Sequence, residues 1–160
     1  MTAHGAFRAR GRFYEEFRVG DRFDSGARTL TGPDVAAFAE VTGDHNPLHA
    51  SGATAADSPF GRPIAHGLLG MGLAVGLIEE SGLHHGTTIA MLGISDWRFP
   101  SPVFIGDTLS ARMTITAKRP SSRPGRGVVT RRLELVNQAG AIVQRGETVL
   151  LVRTREGSGA

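Results

Sequence analysis

Cysteine is absent from this chain of 160 residues. Disulfides, thiolate nucleophiles and cysteine-ligated metal centres are therefore excluded. Long apolar runs are missing too. None approaches the roughly 20 residues of a membrane span, and the arginine-dotted first twelve residues hold no apolar core of a secretory leader. A cytoplasmic protein with no membrane partner is expected. Lysine occurs once, so 17 of the 18 basic residues are arginine. Aromatics are sparse, with one Trp and one Tyr. Aromatic and basic residues do not interleave, so nucleic acid is not an expected partner.

Acid is missing from one long stretch. Residues 108–133 hold no Asp or Glu, while Arg112, Lys118, Arg119, Arg123, Arg126, Arg131 and Arg132 all fall there. A solvated hairpin accounts for such a run. So does a ligand bearing phosphate, with which guanidinium pairs bidentately. The remainder is ordinary for a soluble globular chain, at 40% hydrophobic and 21% charged with net charge +3. That is enough apolar material for one core. A single domain is expected over residues 13–155, with residues 1–12 a flexible lead-in and 156–160 a flexible tail.

Residues 13–17 and 19–30 read as strand pieces broken at Gly20-Asp21. A helix follows: Thr31 is an N-cap, Asp34 its capping-box partner, Pro33 is tolerated in the first turn, and Gly43 ends it. Residues 53–56 suggest a short helical turn. Residues 64–80 are almost continuously apolar, too long for a strand, and read as a helix buried all round. Strands are expected at 87–99, 108–117, 127–136 and 141–153, with Asn137-Gln138-Ala139-Gly140 as a hairpin turn. One buried helix with antiparallel strands gives an α+β fold, a sheet wrapped around that helix. Its open edge predicts pairing with a second copy, as a homodimer or a dimer of dimers.

Gly43-Asp44-His45-Asn46-Pro47-Leu48-His49 gathers an acid, an amide and an imidazole. Pro47 forbids a continuing helix, so Asp44 and His49 sit on a bend and can converge on one water. A plain helix end, with Gly43 as left-handed cap and Asp44 and Asn46 as turn formers, is the rival reading. His84-His85 reads as surface, with no acid at ligand spacing. Trp97 reads as a packed strand residue. Gly67, Gly70, Gly72 and Gly76 lie in one apolar helix, where interior glycine costs about 1 kcal/mol relative to alanine. Either close helix–sheet packing or a tunnel for an elongated ligand, with Gly72 and Gly76 on one face, explains them.

Three segments together resemble the MaoC-like dehydratases, the hot-dog-fold group that includes the R-specific enoyl-CoA hydratases. The first is residues 38–49, close to the family's G-D-x-N-P-L-H signature. The second is Phe60-Gly61-Arg62-Pro63-Ile64-Ala65-His66-Gly67-Leu68-Leu69, similar to its entry into the central helix. The third is Phe99-Pro100-Ser101-Pro102-Val103-Phe104-Ile105-Gly106-Asp107, similar to its F-x-x-P-V-x-x-G-D connection. The resemblance implies a hot-dog fold and reversible addition of water to a trans-2-enoyl thioester, giving an (R)-3-hydroxyacyl thioester. It implies Asp44 and His49 as the acid/base pair and the Gly67 N–H as donor to the thioester oxygen. Asn46, His66, Gly72 and Gly76 are the expected substrate-binding positions: Asn46 shapes the loop rather than reacts, His66 has a structural role at the helix start in preference to a chemical one, and Gly72 and Gly76 face the acyl chain if the tunnel reading holds. No metal or redox cofactor is implied; coenzyme A, or an acyl carrier, enters as part of the substrate. Two positions depart from the family pattern. Ser51 stands where an acid is common, and Val75 where some relatives have Ser. A hot-dog thioesterase and a non-catalytic partner subunit are the competing functions.

Overall fold

The computed structural model describes residues 11–156. The assigned lead-in and tail therefore lie largely outside the described residues. Gly11 and Arg12, at the end of the expected lead-in, are already tied to the fold: their N–H groups donate to the carbonyls of His85 and Leu83, each at 2.8 Å.

Residues 13–17 do not form a strand. Tyr14–Glu16 is a 3₁₀ turn, closed by Glu16, whose carboxylate accepts from the Phe13 N–H at 2.8 Å. That local bond competes with a ladder for the same donor. The first strand is β1, Arg22–Thr29. Helix α1, Gly32–Thr42, has the expected ends: Thr31 and Asp34 form a reciprocal capping box, and Gly43 is left-handed at φ 76°. The short α2, Ala53–Ala56, follows.

The central helix α3 runs Gly67–Glu79, starting three residues later than expected. Residues 64–66 are held extended instead. Ile64 bridges Phe104, and the Ala65 N–H donates to the Val103 carbonyl at 2.7 Å. Nor is α3 buried all round in the single chain. Gly70, Ala74, Leu77 and Ile78 face the core, whereas Leu68 is 60% exposed and Gly72 and Gly76 are open.

Four long strands complete the chain: β2 Thr88–Arg98, β3 Thr108–Pro120, β4 Arg126–Val136 and β5 Ile142–Arg153. They form one antiparallel sheet in the order β1-β3-β4-β5-β2. Alternation decides the faces. Met113 and Ile115 on β3, Leu133 and Leu135 on β4, and Leu150 and Val152 on β5 are buried in one core with Leu77 and Ile78 of α3. The helix packs against β1, β3 and β4. β2 is left as an edge, with Ile89, Met91, Leu92 and Ile94 all exposed.

Candidate active site

The acid/base loop is built locally. Thr42 Oγ1 donates back to the Phe38 carbonyl at 2.7 Å, which finishes α1. Asn46 then caps a 3₁₀ turn, Pro47–His49, accepting from the Leu48 N–H at 3.0 Å. Asn46 thus holds backbone rather than facing a ligand with a free amide oxygen. Proline at the first position of that turn fixes φ and loses no bond.

Two imidazoles lock this loop onto the entry to α3. Nδ1 of His49 lies 2.8 Å from the Ile64 carbonyl, and Nε2 of His66 lies 2.9 Å from the Asp44 carbonyl. A carbonyl can only accept, so each of these ring nitrogens carries a proton; in the neutral ring the other nitrogen is a lone pair. His49 therefore presents Nε2 as a base. Its ring stacks on His66, with centroids 3.7 Å apart and planes at 29°. His66 is 2% exposed, and its Nδ1 meets no partner among the described residues. The structural role expected of His66 at the helix start takes this form, with ring contacts to His49 and Phe38 rather than a side-chain cap.

Asp44, His49 and His66 each place one donor atom within 4.8 Å of the other two. Among the described residues the Asp44 carboxylate accepts only a long bond, 3.3 Å, from the Asn46 N–H. Its lone pairs remain available to a water shared with His49. The same three donors are of the type that holds a divalent cation. Asp44, Asn46, His49 and Ser51 line a groove of about 390 Å³ together with Val35 and Ile105.

Gly67 follows His66 directly and opens α3. Its N–H has no partner among the described residues. A helix start carries unsatisfied donors and partial positive charge. A side chain here would strike the Phe99 ring, since an added Cβ would come within 2.8 Å of it. Phe99 is 52% exposed, and its ring lies against the Cα side of Gly67. Gln144 secures the same turn: its amide donates to the Gly67 carbonyl and accepts from Trp97 Nε1, both at 3.1 Å. Trp97 is half-buried and packs against the core, as expected. Gln144 was not foreseen; a lone Gln in an apolar strand gives no sequence sign of its partner.

The glycines divide into two kinds. A Cβ on Gly70 would overlap Gln144, so Gly70 serves close packing. A Cβ on Gly72 or Gly76 would meet nothing within 4 Å. These two do not line the Asp44 groove; they leave an open strip along the exposed face of α3. Val75 is half-buried on the same helix.

His84 is a correction. It is not a surface residue but 3% exposed, stacked on Phe17 at 5.6 Å, with Nδ1 3.0 Å from the Glu79 carboxylate. Arg131, 1% exposed, donates to Glu79 at 2.9 Å and to Thr148 Oγ1 at 2.9 Å. Burial pushes the His84 pKa below its ordinary value, and the Arg131 charge pushes the same way. Glu79 is also lowered: burial alone would raise it, but the bond from His84 and the His84 and Arg131 charges outweigh that. This cluster fastens the far end of α3 to β4 and β5, away from the acid/base loop.

An antiparallel sheet curled on one central helix, with an acid/base bend beside that helix's first turn, defines a hot-dog protein. The family model described as "MaoC like domain" matches residues 16–137. The chain belongs to the MaoC-like domain family. It is 38% identical over 117 residues to the (R)-specific enoyl-CoA hydratase of Aeromonas caviae, covering 73% of this chain and 82% of that protein. It is 36% identical over 107 residues to Protein MaoC of Klebsiella aerogenes, covering 67% of this chain but spanning only 31% of that protein. Among solved structures, a monoamine oxidase regulatory protein from Archaeoglobus fulgius superposes with TM-score 0.85 at 35% identity, covering 91% of this chain and 96% of that one. A MaoC-like dehydratase from Rhodospirillum rubrum gives 0.80 at 34% identity, covering 91% and 99%.

Proposed function

We propose that this chain adds water reversibly to a trans-2-enoyl thioester, giving an (R)-3-hydroxyacyl thioester. One observation carries the reading: the Asp44 carboxylate and the His49 and His66 rings each bring one ligand atom within 4.8 Å of the other two, and the next residue, Gly67, offers a helix-start N–H without a partner among the described residues. The similarity to the Aeromonas caviae hydratase supports it. Asp44 and His49 hold one water. Its oxygen bonds to the β-carbon while one of its protons passes to the pair. The alkene electrons move toward the thioester oxygen, where the Gly67 N–H stabilises the developing enolate. The pair then returns that proton to the α-carbon on the same face. Dehydration is the same path reversed. The reading calls for no metal or redox cofactor; coenzyme A arrives as part of the substrate.

The working unit in this reading is a homodimer joined through β2. A long apolar edge strand with open backbone invites a second copy. Ile89, Met91 and Ile94 on β2 and Leu68 on α3 are the apolar residues such a pairing would cover. The deciding experiment is a panel of trans-2-enoyl-CoA thioesters, with loss of conjugated absorbance and release of free thiol followed together. Loss of absorbance without thiol supports hydration. Thiol release would make the chain a thioesterase, and silence on both would make it a non-catalytic subunit.

A further inference from the structure

The β3–β4 hairpin holds a second concavity, of about 310 Å³, that shares no lining residue with the Asp44 groove. Its polar wall is Arg119, Arg123 and Arg126 with the hydroxyls of Ser121 and Ser122. Many arginines of this chain are neutralised: Arg28 pairs with Asp34, Arg98 with Asp96, Arg112 with Asp24 and Arg131 with Glu79. The three hairpin arginines have no carboxylate partner among the described residues. The acid-free stretch read from the sequence is the cause. Arg126 adds an independent sign: its Nε is shielded from solvent and meets no acceptor. A buried charged donor without an acceptor is costly, and a phosphate oxygen at this place would satisfy it bidentately. The floor is apolar, made by Leu92, Val128 and Leu151 from three adjacent strands.

We infer that this hairpin pocket binds a small organic phosphate that also carries a flat ring, of the nucleotide class. The phosphates lie on the guanidinium groups, and the ring covers the apolar floor. Two sources supply this chemistry: a free nucleotide, or the phosphorylated adenosine end of a coenzyme A thioester. The binding test does not depend on the hydratase reading, because it is measured without turnover; only the competition that separates the two sources rests on that reading.

Calorimetry with inorganic pyrophosphate and with adenosine 3′,5′-bisphosphate tests it on the whole chain. Both bind, the bisphosphate more tightly by about tenfold or more, since only it reaches the apolar floor. The double variant Arg123→Gln/Arg126→Gln weakens both by at least about tenfold, as expected for lost charge-assisted bonds. The control Arg112→Gln, whose arginine pairs with Asp24, leaves binding unchanged. Should the double variant fold poorly, Ser122→Asp on the exposed loop places a carboxylate in the pocket and repels the same ligands. Competition separates the sources. If the bisphosphate raises KM for an enoyl-CoA without changing kcat, the ligand is the carrier's nucleotide end; binding that leaves KM untouched identifies a free nucleotide. The inference is overturned if the wild-type chain binds neither probe at millimolar concentration, or if Arg112→Gln weakens binding as much as the double variant does.

Discussion

His49 and His66 lie ring on ring, 3.7 Å between centroids, and each donates its one N–H to a backbone carbonyl of the other's segment. His49, on the acid/base loop, bonds Ile64 at the helix approach; His66, at the helix start, bonds Asp44 on the loop. The exchange is reciprocal. It fixes the loop against the helix and leaves the free nitrogen of His49 available as a base.

Replacing Asp44 by Asn, or His49 by Ala, is expected to lower hydration rates by roughly 100-fold or more, the usual scale for an acid/base group. His66→Ala acts differently. It leaves the Asp44 carbonyl without its donor, at a cost of about 1–3 kcal/mol, and it frees the loop. Steady-state kinetics beside melting curves separates the cases: normal stability with lost rate for the first two, and losses in both for the third. Near-native rate in a folded Asp44→Asn protein would remove Asp44 from the chemistry.

Gly67→Ala is expected to push the Phe99 ring off the helix start, because the added methyl group would come within 2.8 Å of it. Misplacement near a reacting atom by about 1 Å can cost about 100-fold. Adding Phe99→Ala to Gly67→Ala makes room again. Recovered kcat in the double variant is the expected result; no recovery would mean Gly67 is needed for another reason.

The two kinds of glycine on α3 give opposite expectations. Gly70→Val overfills the contact with Gln144 and should cost about 1–3 kcal/mol of stability. Gly72→Val and Gly76→Val enter open space and should leave the melting temperature of the single chain's fold nearly unchanged. If the strip they form houses an acyl chain, these two variants shorten the longest accepted substrate while sparing the four-carbon one. Each excluded methylene forfeits about 0.8 kcal/mol. Equal loss at every chain length would end the acyl-chain reading.

Stability should fall on acidification, and the sign follows from His84. Folding depresses its pKa through burial. Below its ordinary value of 6.5 the unfolded chain takes up a proton that the folded chain refuses, so the folded state loses ground as pH drops. Glu79 adds a second decline: its pKa is depressed from 4.5, so its contribution is present above that value and is lost as pH falls through the folded pKa. Urea midpoints between pH 8 and pH 4 measure this. A His84→Gln variant should show a flatter curve between about pH 7 and pH 5. An unchanged slope would place the titration elsewhere.

The chain is expected to sediment as a dimer, and Met91→Lys on β2 to drive it toward monomer by placing charge on an apolar edge. Light scattering at micromolar concentration reads the mass directly. A wild-type monomer would remove the β2 pairing.

Caps and periods made much of this fold legible. Thr31, Asp34 and Gly43 each announce a helix end through a local bond or a left-handed backbone. The alternation in β3 and β4 announces which face is buried. The site was legible where its parts are neighbours in sequence, as in residues 43–49. It was not legible where partners meet only through the tertiary fold. Glu79 stands only five residues before His84, but nothing nearby tells that Arg131, from a distant strand, closes over both. Nothing near Gln144 tells that it will brace Gly67. The 3₁₀ turn at Tyr14–Glu16 escapes a sequence reading for a smaller reason: the aromatic residues Phe13, Tyr14 and Phe17 favour a strand, while the deciding bond, from the Phe13 N–H to the Glu16 carboxylate, leaves no pattern.

Residues 50–63 stand between the acid/base pair and the helix start, yet none of the bonds that join those two halves needs them. The clamp of His49 to Ile64, His66 to Asp44, and the Ile64 N–H to the Leu48 carbonyl at 3.3 Å closes a ring at the neck of this excursion. What hangs from a closed neck can lengthen, shorten or change composition with little strain on the machinery below. Ala50 and Ser51, the first residues of this insert, line the Asp44 groove, so a change in the insert reshapes the groove while the clamp beneath it stays closed.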